Sequence, residues 1–397
     1  MNFQFRYIFA ILLLVFQFNG IWADSLRVSV LTCSPGTDVY AHFGHTAIRV
    51  MEYEAGHDVV FNYGCFDYTE NMFIYKFIKG ETDYVLEIED ASFFFMRYEN
   101  MGVQIDEQVL NVSDTEKQTL VHLLVQNLKP ENKQYRYNYL YDNCTTRARD
   151  MIERAMTEEI EYNKLPVKLT ARDELAQTLD KADWLRFGIN LLLGHEIDDN
   201  NFGQRNQMFI PSHYMEELDS AYRVMDDGTR KPLVSSHAVI LNSRAEMAEE
   251  KTTFTPTLCL SLFLILSLIL DMYDIGNRCV SYWFDIVLSL LQGLSGLLIS
   301  FLFFFSVHPA VDSNWLIVIL NPIYLLYAVY LLLAYNKRKS RVLTTANMII
   351  LTLFSIMMFF VPQTFDTPTS LLVIILLLRS VSVHVTEMRI DRKVKNK

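Results

Sequence analysis

From Phe254 onward the chain is a series of apolar runs, and no other feature limits its architecture so strongly. The runs fall at 254–270, 283–305, 315–335, 343–361 and 368–385. A helix that crosses a bilayer needs about 20 apolar residues and rarely fewer than about 17, so the first and last are short. Backbone in hydrocarbon must satisfy its own hydrogen bonds, so such runs are read as helices. Residues 24–253 are a different material, charged, acid-rich and broken by turns. The 397-residue chain carries a formal net charge of −11, and the acid excess lies in this first part, which argues against a nucleic-acid partner. Two such regimes imply a water-exposed domain followed by a membrane domain.

The opening residues, MNFQFRYIFAILLLVFQFNGIWADS, have one early arginine, an apolar centre and small residues near Gly20 and Ala23. They read as a signal peptide over 1–23, with an uncleaved signal anchor as the alternative. The region around Ala23 has no cysteine, so lipidation of the chain itself is not expected. Loop charge gives the orientation. Residues 336–341 (NKRKSR) and the tail at 386–397 are basic, whereas 306–314 and 362–366 contain no lysine or arginine. The basic segments therefore belong on the cytoplasmic side, which places 24–253 outside and 254–385 in the membrane.

The outer domain reads as mixed α+β. Strands are expected at 26–32, 46–53, 59–63, 84–88 and 103–109, with a helix near 91–99. Ser113-Asp114-Thr115-Glu116 is a capping box that opens a helix running to about Leu128. A further helix is expected at 170–179, while 195–250 resists assignment. Cys33, Cys65 and Cys144 are an odd set, so at least one thiol stays unpaired within the domain. Cys33 and Cys65 flank neighbouring strands, which leaves a disulfide between them open.

Cys144 stands in YDNCTTRARDMIERA, where a polar stretch becomes helical. Three readings are open. It is a small buried hydrophobe, or part of the glycosylation sequon Asn143-Cys144-Thr145 (a second lies at Asn111-Val112-Ser113), or a nucleophile. A helix N-terminus presents free N–H groups and partial positive charge, which lower a thiol's pKa. A nucleophile also needs a base and an orienting group. His42 and His45 in AHFGHTAIRV are the candidate bases, and Asn62 in VVFNYG is the candidate orienter. No neighbouring His/Cys/Asp cluster completes a ligand set around the histidines, so neither metal nor cofactor is expected.

In papain-like enzymes the cysteine comes first, so the order His45, Asn62, Cys144 suggests a circularly permuted version. HTAIRV, a polar residue on the next strand, and Asn143-Cys144 opening a helix resemble the circularly permuted papain-like group over roughly residues 27–153. That group includes lecithin–retinol acyltransferase and phospholipid-dependent N-acyltransferases. LTCSPG, HFGHTAIRV, FNYGCFDY, the tyrosine-rich run before DNCTTR and a later HP…NW…NP pattern resemble the Lnb-type lipoprotein N-acyltransferases over nearly the whole chain. Cys65 departs from the resemblance, because threonine is expected there. The resemblance implies a permuted papain-like cysteine domain followed by a polytopic helical membrane domain. It also implies a Cys144 thioester, a phospholipid acyl donor and a diacylated lipoprotein acceptor.

Beyond the triad, Asn143, Arg147, His308, Asn314 and Asn321 are the candidate substrate contacts. Arg147 and Arg149 read either as solvated helix charges or, for one of them, as a phosphate contact. His308-Pro309, Asn314 and Asn321-Pro322 read either as a turn and a tolerated kink or as the floor of a lipid site beneath Cys144. Helix-start N–H groups are expected to hold an oxyanion. Arg379, inside the last apolar run, is expected to snorkel towards the cytoplasmic face. A cell-wall peptidase or amidase and a non-enzymatic membrane sensor are the competing functions; five spans and a short basic tail fit neither well.

Overall fold

The computed structural model describes residues 26–36, 41–67, 69, 71–162, 169–199, 207–243, 253–334 and 342–395. The leader at 1–23, the basic loop at 336–341 and the last two residues of the tail lie outside the described residues.

The outer domain opens with β1 (Leu26–Cys33), β2 (His45–Glu52) and β3 (His57–Cys65). A short helix α1 (Phe73–Lys79) follows, then β4 (Asp83–Asp90), α2 (Ala91–Asn100) and β5 (Ile105–Leu110). Next come α3 (Asp114–Asn127), β6 (Gln134–Arg136) and α4 (Cys144–Ala155). The predicted strands and helices all form, with ends that differ by a few residues. Ser113 caps α3 and Glu116 returns the bond, so the capping box is present.

Beyond α4 come β7 (Glu159–Glu161), the expected helix α5 (Ala171–Thr178), α6 (Asp183–Leu192) and, opening the region without a sequence assignment, a 3-10 turn at His195–Asp198. It continues with α7 (Pro211–Ser220), β8 (Tyr222–Val224), β9 (Arg230–Pro232) and β10 (Val234–Leu241). β10 was hard to foresee because its side chains are mostly exposed, so apolar periodicity does not mark it. It pairs with β5 and extends a seven-stranded antiparallel sheet in the order β10-β5-β1-β2-β3-β4-β6.

Alternation along the strands builds two cores. Val28, Val30, Ile48, Val50, Phe61 and Tyr63 pack against α3 and α4. Leu31, Cys33, Ala47, Val60 and Ile105 pack against Ala91 and Phe94 of α2 on the other face. Cys33 and Cys65 are both free thiols, so the disulfide left open by their spacing is not made.

The membrane part comprises α8 (Pro256–Asn277), α9 (Tyr282–Phe305), a 3-10 turn at Trp315–Val318, α10 (Ile323–Ala334), α11 (Val342–Met357) and α12 (Thr367–Lys395). Among the described residues, four stretches are long and apolar enough to cross a membrane: Pro256–Asn277, Tyr282–Phe305, Trp315–Leu333 and Thr367–Arg392. α11, a fifth apolar helix, has 16 residues.

The first span is longer than its apolar run because Asp271 and Asp274 continue the helix as buried groups. Arg379 makes this possible. It does not snorkel: it is 2% exposed and pairs through Nη1 with Asp271 at 2.8 Å and Asp274 at 3.0 Å. Its Nη2 pairs with Asp285 at 2.7 Å. Three carboxylates around one guanidinium tie α8, α9 and α12 together, where an uncompensated charge would be costly.

The two parts meet at residues 306–314, the connection after α9. Val307 N–H donates to the Lys79 carbonyl at 2.9 Å, and the Tyr139 hydroxyl donates to the Pro309 carbonyl at 2.8 Å. Gly194 N–H donates to the Ala310 carbonyl at 2.6 Å.

Candidate active site

α4 begins at Cys144 because Asn143 caps it. The Asn143 Oδ1 accepts from the Thr145 and Thr146 N–H groups at 2.9 Å each, and the Thr146 hydroxyl accepts from the Asn143 N–H at 2.8 Å. The Asn143 amide donates to the Tyr139 and Phe209 carbonyls, also at 2.9 Å each. Four bonds exhaust this side chain, so Asn143 is a cap and not a substrate contact. The Arg147 N–H is bonded to the Asn143 carbonyl at 3.0 Å. The expected cradle of helix-start donors thus shrinks to one: among the described residues, only the Cys144 N–H of this first turn lacks a protein partner.

β2 delivers two groups to the thiol. His45 opens the strand, and the buried Thr46 hydroxyl bonds the Thr145 hydroxyl at 3.1 Å, pinning α4 to the sheet. The Thr46 N–H stabilises the Cys144 thiolate. β3 delivers Asn62, whose Oδ1 lies 2.6 Å from His45 Nε2. The Asn62 Nδ2 faces Glu89 Oε1 at 3.3 Å, and a carboxylate can only accept. That contact turns the Asn62 carbonyl towards His45, so Nε2 carries the proton and Nδ1 is left to face the thiol. Glu89 is held by Arg97 at 2.6 Å, and the Tyr98 ring stacks on His45 at 6.4 Å with planes 14° apart.

His45 and Asn62 belong to the sheet face that α2 covers, whereas Cys144 belongs to the helix on the opposite face. They meet where β3 is irregular, between Asn62 and Cys65. Gly64 lies there at φ +88°, and a Cβ on it would sit 3.4 Å from the Cys144 Cβ and 3.8 Å from His45 Cε1. Only glycine readily combines that backbone conformation with so close an approach.

Burial pushes the Cys144 thiol up, but the adjacent His45 outweighs it through charge and hydrogen bonding. With the Thr46 N–H and Thr145 hydroxyl, His45 holds the thiol down at about 7. Burial pulls the imidazole of His45 down, and the Cys144 charge and Asn62 raise it above its ordinary value. The opposite shifts describe a thiolate–imidazolium pair, the arrangement that activates a cysteine nucleophile. By contrast, burial pushes the Cys33 and Cys65 thiols well up, so neither competes.

A family model described as the Lnb N-terminal periplasmic domain matches residues 18–176. A second, described as the Lnb transmembrane domain, matches residues 248–390. Together they cover most of the chain, in the order that the structure displays. The chain belongs to the Lnb family. It is a membrane protein with a periplasmic domain, of the Lnb lipoprotein-processing type. No curated protein and no solved structure matches it.

The remaining sequence-predicted residues in this Lnb chain do not join the thiol. His42 Nδ1 is bonded to the Gly36 carbonyl at 3.0 Å and belongs to the loop before β2. Arg147 is neither a solvated charge nor an open phosphate fork. Its guanidinium spans both Asp142 oxygens at 2.5 and 2.8 Å and lies 3.6 Å above the Tyr135 ring. Arg149 is buried and pairs with Asp150 at 2.8 Å.

The polar groups after α9 are structural as well. His308 Nε2 is bonded to the Phe77 carbonyl at 2.5 Å. Asn314 is buried; it accepts from the Leu316 N–H and Gln363 and donates to the Leu191 carbonyl. Asn321 donates to the Ile317 and Val318 carbonyls and accepts from the Ile323 N–H, bridging the 3-10 turn to α10. These bonds occupy the groups expected to floor a lipid site. Sequence reasoning missed Thr46, Gly64, Glu89 and Tyr98; Gly64, inside a strand pattern, was the one legible signal of a bulge. Among the described residues no three His, Cys, Asp or Glu side chains converge as metal ligands.

Proposed function

We propose that this protein transfers an acyl chain from a phospholipid to the α-amino group of the lipid-modified N-terminal cysteine of lipoproteins. The Cys144 thiolate attacks the ester carbonyl, and the tetrahedral oxyanion is met by the Cys144 N–H. The intermediate collapses to a thioester, and the departing lysophospholipid oxygen takes the proton from His45. The acceptor amine then attacks the thioester, His45 takes the amine's proton, and the thiolate leaves as the amide forms. Asn62 orients the imidazole throughout.

The observation that carries this reading is the Cys144–His45–Asn62 constellation in a domain of the Lnb periplasmic type, mounted on a membrane domain. Donor and acceptor are both lipid-anchored, which gives the membrane domain a purpose that a soluble hydrolase lacks. The order of the three residues supports a circularly permuted papain-like scaffold. Counting α11 as a span makes five, which puts the 306–314 loop and the catalytic domain on the periplasmic face of the inner membrane. The tail is then cytoplasmic, as its basic residues favour.

Mass spectrometry of a lipoprotein N-terminus from cells with and without the gene tests the reading. Loss of the N-linked acyl chain supports it. Unchanged lipoproteins together with altered wall peptides would replace it with an amidase. The thioester is sought as acyl mass on Cys144 that hydroxylamine releases.

A further inference from the structure

The periplasmic domain carries a short helix whose outward face is apolar. In α1 and the residue before it, Met72 is 68% exposed, Ile74 72%, Tyr75 46% and Phe77 44%. A cluster of this kind is costly against water and marks an interaction surface. What lies against it follows from its attachment.

The carbonyls of Phe77, Ile78 and Lys79 accept from His308 Nε2, the Ser306 hydroxyl and the Val307 N–H, all in the chain that leaves α9. Gly80 turns the chain at φ +75°, where a Cβ would stand 2.8 Å from the His308 nitrogen. Tyr75 meets Phe301 at 6.0 Å between ring centres. Phe301 is one turn inside the end of α9, about 6 Å along its axis at 1.5 Å per residue. The helix is thus fastened at the level where a membrane span emerges, and one of its rings reaches below that level.

From α1 a row of rings leads inward. Phe77 stands 6.1 Å from Phe73, Phe73 5.5 Å from Phe66, Phe66 5.0 Å from Tyr84, and Tyr84 4.2 Å from Tyr137. Phe66, Tyr84 and Tyr137 share the hydrophobic cluster that contains Cys144. Burial, and after it the Cys144 charge, raises the phenol pKa of both tyrosines, which places them within electrostatic reach of the thiol.

We propose that Phe73–Lys79 is an interfacial helix seated in the periplasmic leaflet, and that the rings from Phe77 to Tyr137 form the surface along which the donor's acyl chain passes to Cys144. The first half stands on the exposed face and its attachment to α9. The second rests on the acyl-transfer reading given above and specifies how the chain arrives.

Two experiments on the full-length protein separate them. Benzoylphenylalanine is introduced at Ile74 or at Tyr53, which is also exposed but lies on the β2–β3 turn, in vesicles of phosphatidylethanolamine and phosphatidylglycerol. Irradiation is expected to attach phospholipid at position 74 and not at 53; equal yields would overturn the interfacial helix. This readout needs no catalysis.

For the path, Phe73→Ser is expected to lower the ratio of palmitoyl to acetyl transfer onto Cys144 about tenfold. The donors are dipalmitoyl phosphatidylethanolamine and p-nitrophenyl acetate, and a ratio equal to the parent's would remove the path. Should the parent protein acylate Cys144 from neither donor, the acyl-transfer reading fails and the path with it, while the crosslinking result stands by itself.

Discussion

Two places in this protein set charge against charge, and they do it to opposite ends. Around Arg379, three aspartates and the Ser281 carbonyl enclose one guanidinium, and all four charged residues are buried. Around Cys144 the charges belong to two groups that exchange a proton. The thiol is only half-buried, and among the described residues its own N–H has no protein partner. The first arrangement is closed and structural; the second keeps vacancies. A buried charge therefore signals chemistry only where some hydrogen-bonding capacity remains unspent.

Variants can break this contrast. Cys144→Ser and Cys144→Ala should abolish N-acylation while the protein melts as the parent does, because an alcohol lacks thiolate character at neutral pH. Normal lipoprotein N-termini in either strain would unseat the nucleophile.

His45→Ala comes next, with a loss on the order of 10²–10⁴ in rate, and Asn62→Ala should lose less, since orienting groups are partly replaceable. The pH dependence sharpens the point. A thiol held at about 7 is thiolate above that value, so alkylation of Cys144 by iodoacetamide should rise as pH climbs through about 7. Without His45 only burial and weaker hydrogen bonds remain, and the rise should move towards the ordinary 9.0 or beyond. An unmoved profile would mean that His45 does not set the thiol's charge.

Arg379→Met should leave three aspartates without their cation. Removing one partner of a buried ionic group costs about 3–5 kcal/mol, so less folded protein is expected in detergent extracts. Activity per folded molecule should fall far less than in His45→Ala. A well-folded Arg379→Met protein with no activity would move this cluster from scaffold to function.

The smallest effect is expected at Asn314→Ala, which removes the cap of the Trp315–Val318 turn. A lost cap costs about 1 kcal/mol, and the Leu191 carbonyl and Gln363 amide lose a partner besides, about 1–3 kcal/mol in all, seen as a lower melting temperature. A loss of donor binding at unchanged stability would restore Asn314 to the substrate site.

Much of the fold was legible because its signals are local. Alternation marked the central strands, Ser113 and Glu116 marked α3, and apolar length marked the membrane helices. His45, Asn62 and Cys144 were legible as residue types that chemistry pairs, although their convergence depends on the bulge at Gly64 and on α2 covering one sheet face. What stayed hidden depends on partners distant in sequence. Arg379 looked like a residue in need of water because Asp271 and Asp285 are far from it along the chain. Asn143, Asn314 and Asn321 looked available because sequence does not show which carbonyls they would meet. β10 is exposed on an edge and carries no apolar rhythm to read.

The Tyr139 hydroxyl bond to Pro309 has a geometric consequence. Tyr139 also accepts, through its own carbonyl, the bond from Asn143 that sets the start of α4. One short segment therefore grips the membrane loop and fixes the thiol, which holds Cys144 at one altitude above the end of α9. The membrane becomes a ruler. Under the acyl-transfer proposal, an acceptor amine on a diacylglyceryl anchor is delivered to that altitude, whereas the same amine on a lipid-free peptide arrives from every height. The lipid-free peptide should be the poorer acceptor in vesicle assays even at equal concentration, and equal rates would show that the ruler is not read.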